Sequence, residues 1–423
     1  MDTIPADTTC GCTEFSVTRR SILKSTAALG GGFALAQMFG DSLLQASFGA
    51  TGGNTLVVIS LRGGIDGMGV VVPHGDASYY KIRPSTAVPA ASLICQDSMF
   101  GLHPSMQPLA KFWTSGELAA VHATGLPVPN LSHFSAIEAV EDADPGSSDR
   151  SGWINRMVGL GGSGDPLDAV QVGMNFPSTA LSGNAPVLAA ANLSNLQVTG
   201  LDLNMATKRY ASLDTMWAGA QGPLATGASQ ATSISKGAGA TLASMPASSV
   251  SYPTAWNATS FATPMKAAAQ LIKANVGTEV IAIDAGSWDF HSGYGNLSGG
   301  NMLYGVDGFA QSLAAFLDDL GTLRQQVTVV TISEFGRRAA ENGNKGFDHG
   351  WGNMMLLAGA GVKGGQYYGT WPGLDAASLD AGNLKVTTDY RAVLGEIVSK
   401  RFPDRSLSQM FPGFSYSPLG FMA

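Results

Sequence analysis

Val327-Thr328-Val329-Val330-Thr331-Ile332 runs directly into Ser333-Glu334-Phe335-Gly336-Arg337, and Asp348-His349-Gly350 follows after a polar loop. The first six residues are β-branched and apolar, the composition of a buried strand. Charge therefore begins where the strand ends. In open α/β sheets that is where ligands bind, beyond the carboxyl ends of the strands. The intervening Glu341-Asn342-Gly343-Asn344-Lys345-Gly346 is strong turn chemistry and can fold the Asp-His pair back toward Glu334. On its own the block reads equally well as a solvated loop with a charged turn, so the rest of the chain has to decide.

Four further runs read as buried strands: Thr55–Leu61, Leu118–Val121, Glu279–Asp284 and Asn353–Ala358. Thr55–Leu61 leads into Arg62-Gly63-Gly64-Ile65-Asp66-Gly67. Asp66 alone is more simply a turn aspartate bonded to its own backbone. Residues 71–74 and 79–84 read as loop with aromatic packing. His103 reads as a capping or core histidine ahead of a helix over Ser105–Thr114. Ser132 and Ser135 are N-cap material for a helix containing Ile137, Ala139 and Val140. Ser132 is then either a cap or a nucleophilic hydroxyl at a helix start, where free N–H groups favour anions. Helices are also expected over Ser151–Val158, Phe309–Leu323 and Arg391–Phe402. Gly359–Gly364 matches G-x-G-x-x-G, but no helix pattern follows, so dinucleotide binding is set aside.

The 423 residues include 54 glycines, only 13% charged residues and a net charge of −7. No basic run offers a footprint for nucleic acid. Thr18-Arg19-Arg20-Ser21-Ile22-Leu23-Lys24 precedes a weakly apolar run from Ala27 to Phe39, the pattern of a twin-arginine export signal. That run is too short to span a bilayer, which needs roughly 20 residues. Residues 1–50 are read as signal peptide and leader, and 51–423 as one domain with an Ala/Ser/Gly-rich insertion near 196–260. Cleavage would leave Cys95 as the sole cysteine of Cys10, Cys12 and Cys95, consistent with folding before export. The expected partner during export is the twin-arginine translocase. The mature chain, with no transmembrane segment, is expected to be periplasmic or secreted.

Asp66, Asp289, His291, Glu334, Asp348 and His349 all fall beyond strand ends, which a parallel sheet gathers on one edge. Asp289 and His291, two apart in extended chain, point to the same side. Oxygen and nitrogen ligands without sulfur suit Zn, Mn, Mg or Ca. Several carboxylates in one place repel each other without cations. Two divalent ions, Zn foremost, would solve this and serve a phosphoryl-type displacement. Ser132 is the candidate nucleophile, and Arg337 or Arg62 a candidate holder of an anionic group.

The twin-arginine signal, LRGGIDG, LHP, LSHFSA, WDFHS, SEFGRRAAENGNKGFDHG, GGQYYGTWPGL and TTDYRAVLGEI occur in this order. Over residues 55–405 the chain thereby resembles the bacterial family of exported proteins called domain of unknown function 1501, which is similar to the alkaline phosphatase and sulfatase superfamily. The resemblance implies an α/β, alkaline phosphatase-like fold, a mostly parallel central sheet sandwiched by helices, with a two-metal site. By superfamily role, Asp66, Asp348 and His349 would bind one ion beside Ser132, and Asp289 and His291 the other. Glu334 would serve as a ligand or third-ion residue.

Two departures stand out. No histidine follows His349, and Trp351 stands where the family often has a second histidine. The second site is therefore incomplete, lost, or completed by His103 or His133. The absence of a Cys/Ser-x-Pro-x-Arg signature argues against formylglycine chemistry. The expected function is an exported metal-dependent hydrolase of small phosphate or sulfate esters. The alternative is a catalytically weak or inactive relative that acts as a cell-envelope binding protein.

Overall fold

The computed structural model describes residues 53–148, 150–193, 206–236 and 248–423. The expected export signal lies outside the described residues, and the 196–260 stretch is described only in part. Within that stretch the helices Ala206–Trp217 and Pro223–Lys236 pair through Tyr210 and Ser235, whose hydroxyls are 2.5 Å apart.

The described strands, in chain order, are β1 (Thr55–Ser60), β2 (Val71–Val72), β3 (Gly101–Leu102), β4 (Leu118–Gly125), β5 (Ala169–Val172), β6 (Leu188–Ala190), β7 (Val280–Asp284), β8 (Val327–Ile332), β9 (Asn353–Gly359), β10 (Tyr367–Tyr368) and β11 (Thr388–Asp389). The main sheet runs β10-β4-β9-β8-β1-β7-β5-β6, with β11 beside β4. β1 pairs in parallel with β7 and β8, and the parallel run continues through β5 and β6. β9 alone runs against its neighbours β8 and β4. This is the expected mostly parallel sheet.

Side-chain alternation explains its burial on both faces. Val57 and Ile59 of β1 pack with the Thr259–Ala274 and Asn301–Leu320 helices through Met265, Leu313 and Phe316. Leu56 and Val58 face the opposite layer, with Val140, Trp153, Val393 and Ile397 from the His133–Asp142, Trp153–Gly159 and Tyr390–Arg401 helices. Each such fully buried aliphatic side chain contributes roughly 1.5–3 kcal/mol relative to exposure. All five expected core strands are present.

Three local expectations change. Of the loop expected over 71–74 and 79–84, Val71–Val72 is the strand β2 and residues 79–82 belong to the short helix Ala77–Ile82. The segment after His103 starts as a 3-10 helix, Pro104–Leu109, and becomes α-helical only over Ala110–Thr114. The helix expected from Phe309 begins at Asn301. Gly305 and Gly308 resemble breakers in sequence but are contact points. A Cβ would lie 2.8 Å from the Trp288 ring at Gly305 and 2.0 Å from the Asn257 carbonyl at Gly308.

β9 matters most for the site. Residues 333–352 turn the chain back alongside β8, which an antiparallel neighbour allows without a crossover helix. The residues just before β9 therefore lie at the same sheet edge as those just after β8.

A candidate metal centre at the carboxyl edge of the sheet

Beyond that edge, residues 336–338 and 348–351 form a narrow antiparallel ribbon. Gly350 N–H donates to Gly336 O at 2.8 Å, Arg338 N–H to Asp348 O at 3.0 Å and Gly336 N–H to Trp351 O at 3.0 Å. Both glycines are required by close approach. A Cβ on Gly350 would lie 2.1 Å from the Arg337 carbonyl carbon, and one on Gly336 would lie 1.9 Å from Gly352 O. The ribbon fixes Glu334, Arg337 and His349 relative to one another.

Asp289 forms the centre of the site. It follows β7, and its carboxylate is 41% exposed. Arg337 Nη2 donates to its Oδ1 at 2.6 Å. His291 Nε2 lies 3.0 Å and His349 Nε2 3.4 Å from the same oxygen. His133 Nε2 lies 3.5 Å from Oδ2. Burial pushes the Asp289 pKa up, but the Arg337 hydrogen bond and charge, with help from His291 and His133, outweigh it and hold the carboxyl below its ordinary value.

The second ring nitrogen of each histidine has an acceptor. His349 Nδ1 is 2.7 Å from the Leu131 carbonyl oxygen. His291 Nδ1 is 2.9 Å from Asp348 Oδ1, and His133 Nδ1 is 2.8 Å from Glu334 Oε1. A carbonyl or an ionised carboxylate only accepts, so each Nδ1 carries a hydrogen, and in a neutral ring Nε2 is then the nitrogen with the lone pair. His133 Nε2 is buried without a hydrogen-bond partner. His291 and His349 bring their Nε2 atoms to 3.0 Å of one another. Lone pairs converging on a carboxylate, with every outer nitrogen tied back to an acceptor, form the donor arrangement of a metal site with its supporting shell. One atom each from His133, Asp289 and His349 lies within 4.8 Å of the others, which could hold a metal ion. His291 adds a fourth nitrogen beside them.

The supporting residues are themselves anchored. Gly63 N–H donates to Glu334 Oε1 at 2.8 Å. Gly63 has φ +107, and a Cβ there would lie 2.6 Å from Trp288 N, so glycine is the residue that fits. Hydrogen bonds from His291 and Asn342 hold the Asp348 pKa down. Burial lowers the His349 pKa. The Phe335 ring packs 4.7 Å from the His133 ring and 4.8 Å from that of His349, centroid to centroid.

The expected site residues thus separate. Asp289, His291 and His349 meet at the centre. Glu334 and Asp348 orient imidazoles from behind. Asp66 is not brought to the cluster: Arg83 donates to both its oxygens, at 2.6 and 3.0 Å, and Tyr294 OH donates to Oδ2 at 2.6 Å. The Arg337 side chain is 1% exposed. Besides Asp289 it donates to the carbonyls of Gly63, Gly64, Trp288 and Phe347. Arg62 is paired with Glu141 at 2.7 Å and Asp284 at 3.1 Å. Ser132 is the N-cap of the His133–Asp142 helix, exposed, and its side chain makes no cap hydrogen bond. It lies between Leu131, whose carbonyl receives His349, and His133. His103 is buried and caps its helix by accepting from Ser105 N–H at 3.1 Å.

His133 is the residue that sequence reasoning underweighted. In LSHFSA the serine is the more conspicuous candidate, and His133 enters from sequence only as one of two histidines that could complete the second site. The available signal was a histidine at the first position of a helix that starts beyond a strand end.

Among the described residues no helix is long and apolar enough to cross a membrane. A search of curated proteins finds no match. Solved structures similar to this chain include the lipoteichoic acid synthase LtaP from Listeria monocytogenes, at 10% identity and TM-score 0.34 over 84% of this chain and 80% of that one. The C-terminal periplasmic domain of EcEptC from Escherichia coli, in complex with Zn, matches at 11% identity and TM-score 0.30 over 75% and 76%. A protein in the alkaline phosphatase superfamily from Vibrio parahaemolyticus matches at 12% identity and TM-score 0.32 over 79% and 69%. The profile of the family described as "Protein of unknown function (DUF1501)" matches residues 54–390, about four-fifths of the sequence, and the chain belongs to that family.

Proposed function

We propose that the protein is an exported metal-dependent hydrolase of small phosphate or sulfate esters. The reading is carried by one observation: three imidazoles, each with Nδ1 tied to an acceptor, turn their Nε2 lone pairs toward Asp289. His133, Asp289 and His349, with His291 beside them, would hold one divalent ion, a set that fits zinc, in place of the two ions expected from the superfamily. Bound there, such an ion would supply Lewis-acid polarisation of the ester.

The chain's own residues supply the remaining parts. Ser132 Oγ is exposed, free of a cap bond and one residue from His133, and it is the nucleophile toward phosphorus or sulfur. The first-turn N–H groups of its helix favour the transferred anion. The alcohol leaves with a proton, and water then releases inorganic phosphate or sulfate from the serine. Arg337 positions Asp289 and does not contact substrate. Asp66 holds the adjacent loop through Arg83.

The test is metal analysis and turnover on the same preparations. Wild-type protein is expected to hold about one zinc per chain and to hydrolyse 4-nitrophenyl phosphate or sulfate. Asp289→Ala and His349→Ala are expected to lose the metal. Ser132→Ala should keep it and lose turnover. Wild-type protein without bound metal would sink the reading. Export is tested separately: Arg19→Lys with Arg20→Lys should leave the precursor inside the cell.

A second reading keeps the metal and drops the catalysis, leaving a cell-envelope binding protein. It is favoured by the commitment of both Arg337 and Arg62 to other partners, which leaves neither to hold a substrate anion. Full metal content with no turnover of any ester would select it.

A further inference from the structure

Three large apolar side chains stand in water within seven residues of one another beside this site. Phe134 is 86% exposed, Val128 69% and Leu131 40%. They lie on the segment that leaves β4 and enters the His133–Asp142 helix. Phe134 directly follows His133, and the carbonyl of Leu131 is the oxygen that receives His349 Nδ1 at 2.7 Å. The backbone of this lip is thus fixed to the metal centre at two points. Two other exposed apolar residues, Met174 at 42% and Phe176 at 47%, leave the end of β5 at the same edge of the sheet.

An exposed phenylalanine in the first turn of a helix contributes nothing to that helix, where polar and acidic residues are favoured. Leaving it in water forgoes the gain of burying a large ring. Exposed apolar residues on the segment that supplies a polar donor cluster have the composition of a ligand site: apolar walls around a few convergent polar groups.

We infer that Phe134, with Leu131 and Val128, is a specificity-determining lip that receives the apolar alcohol part, aryl or alkyl, of the ester whose anionic end is held at the His133/Asp289/His291/His349 centre. The inference rests on the proposed function for the identity of the anionic end. It goes further in stating which esters are preferred: those with an apolar alcohol over those with a polar one such as glycerol. The lip's occupant is a single ligand molecule.

Phosphonates, which are not hydrolysed, test the lip without relying on turnover. Calorimetry on zinc-loaded protein is expected to give phenylphosphonate an affinity about tenfold above methylphosphonate, the worth of shielding one ring face from water. Phe134→Ala should erase that ratio and leave methylphosphonate affinity and zinc content unchanged, whereas Phe134→Leu should restore most of it. Equal affinities in wild-type protein, or a ratio unchanged by Phe134→Ala, would overturn the inference. So would conversion of a dimer to a monomer by Phe134→Ala with the ratio intact, which would assign the lip to a second copy of this chain. Decylphosphonate separates the two sources of an apolar group. Binding below its micelle concentration supports a single ligand, and binding only above it assigns the lip to a lipid surface and overturns the inference. If the ratio behaves as expected but neither phenyl phosphate nor phenyl sulfate is turned over, the hydrolase reading fails and the lip stands.

Discussion

Asp66 and Asp289 begin in the same place and end in opposite states. Each follows a neighbouring parallel strand, β1 or β7, by five or six residues. Asp66 is buried, with both oxygens on Arg83 and a third donor from Tyr294. Arg83 is itself fully buried, with its guanidinium 4.1 Å from the centre of the Phe347 ring, and its Nε donates to Ala339 O at 2.9 Å. Asp289 stays partly open and faces three imidazoles. The role of a strand-end aspartate is set by which cation reaches it first. At Asp66 a covalently attached cation arrives from the Ala77–Ile82 helix and the carboxylate becomes structural. At Asp289 one guanidinium takes a single oxygen, and the remaining neighbours present lone pairs.

The sharpest way to break this contrast is to remove the cation from the structural side. Arg83→Met strands Asp66 as a buried charge and is expected to cost about 3–5 kcal/mol in denaturant unfolding. Asp289→Asn in chelated protein should cost less than about 1 kcal/mol while abolishing metal binding, because that carboxylate is half-exposed and only one of its oxygens is paired with a cation. Equal stability losses would mean that both carboxylates are structural.

The same contrast holds among the histidines and makes stability depend on pH. Outside the cluster, burial lowers His103 and His122 from 6.5 to about 4. The unfolded chain takes up these protons first as pH falls. Their contribution is therefore complete above pH 6.5 and is lost progressively between 6.5 and 4, by about 3 kcal/mol for each group. Unfolding free energies of chelated protein at pH 7 and 5 check this. His122→Phe should flatten the slope, since His122 Nδ1 has no hydrogen-bond partner and its ring stacks on Phe100 at 4.3 Å.

On the metal side, Glu334→Gln removes the charge behind His133 and should weaken zinc affinity about 10–100-fold, measured by competition with a chromogenic chelator. Unchanged affinity would reduce Glu334 to a loop anchor through Gly63. On the structural side a single hydrogen bond can be removed by Tyr294→Phe, which deletes one of the three donors to Asp66. It should cost about 1.5 kcal/mol in unfolding and leave zinc content unchanged.

Reading the sequence recovered the strands because their β-branched runs are a local signal. It placed Glu334, Asp348 and His349 together because one short turn joins them, and Asp289 with His291 because residues two apart in extended chain share a side. It assigned Asp66 to the wrong neighbourhood for a non-local reason. Its partner Arg83 lies 17 residues away in a stretch read as loop, and Tyr294 lies 228 residues away. It offered Arg337 as a substrate-binding cation because an exposed and a buried arginine look alike in one dimension.

Composition, periodicity and spacing mark the buried strands, the polar segments beyond their ends and most of the side chains that meet there, while the mostly parallel order of the sheet is what the family resemblance implies. The features so marked depend on contacts within a few residues or on the direction of one strand. Tertiary structure alone decided the sorting of carboxylates into candidate ligand, support and core, the entry of His133, and the antiparallel course of β9 that brings His349 to the carboxyl edge. Each of these depends on which donor or cation arrives across the fold, and burial then makes that first pairing too costly to exchange.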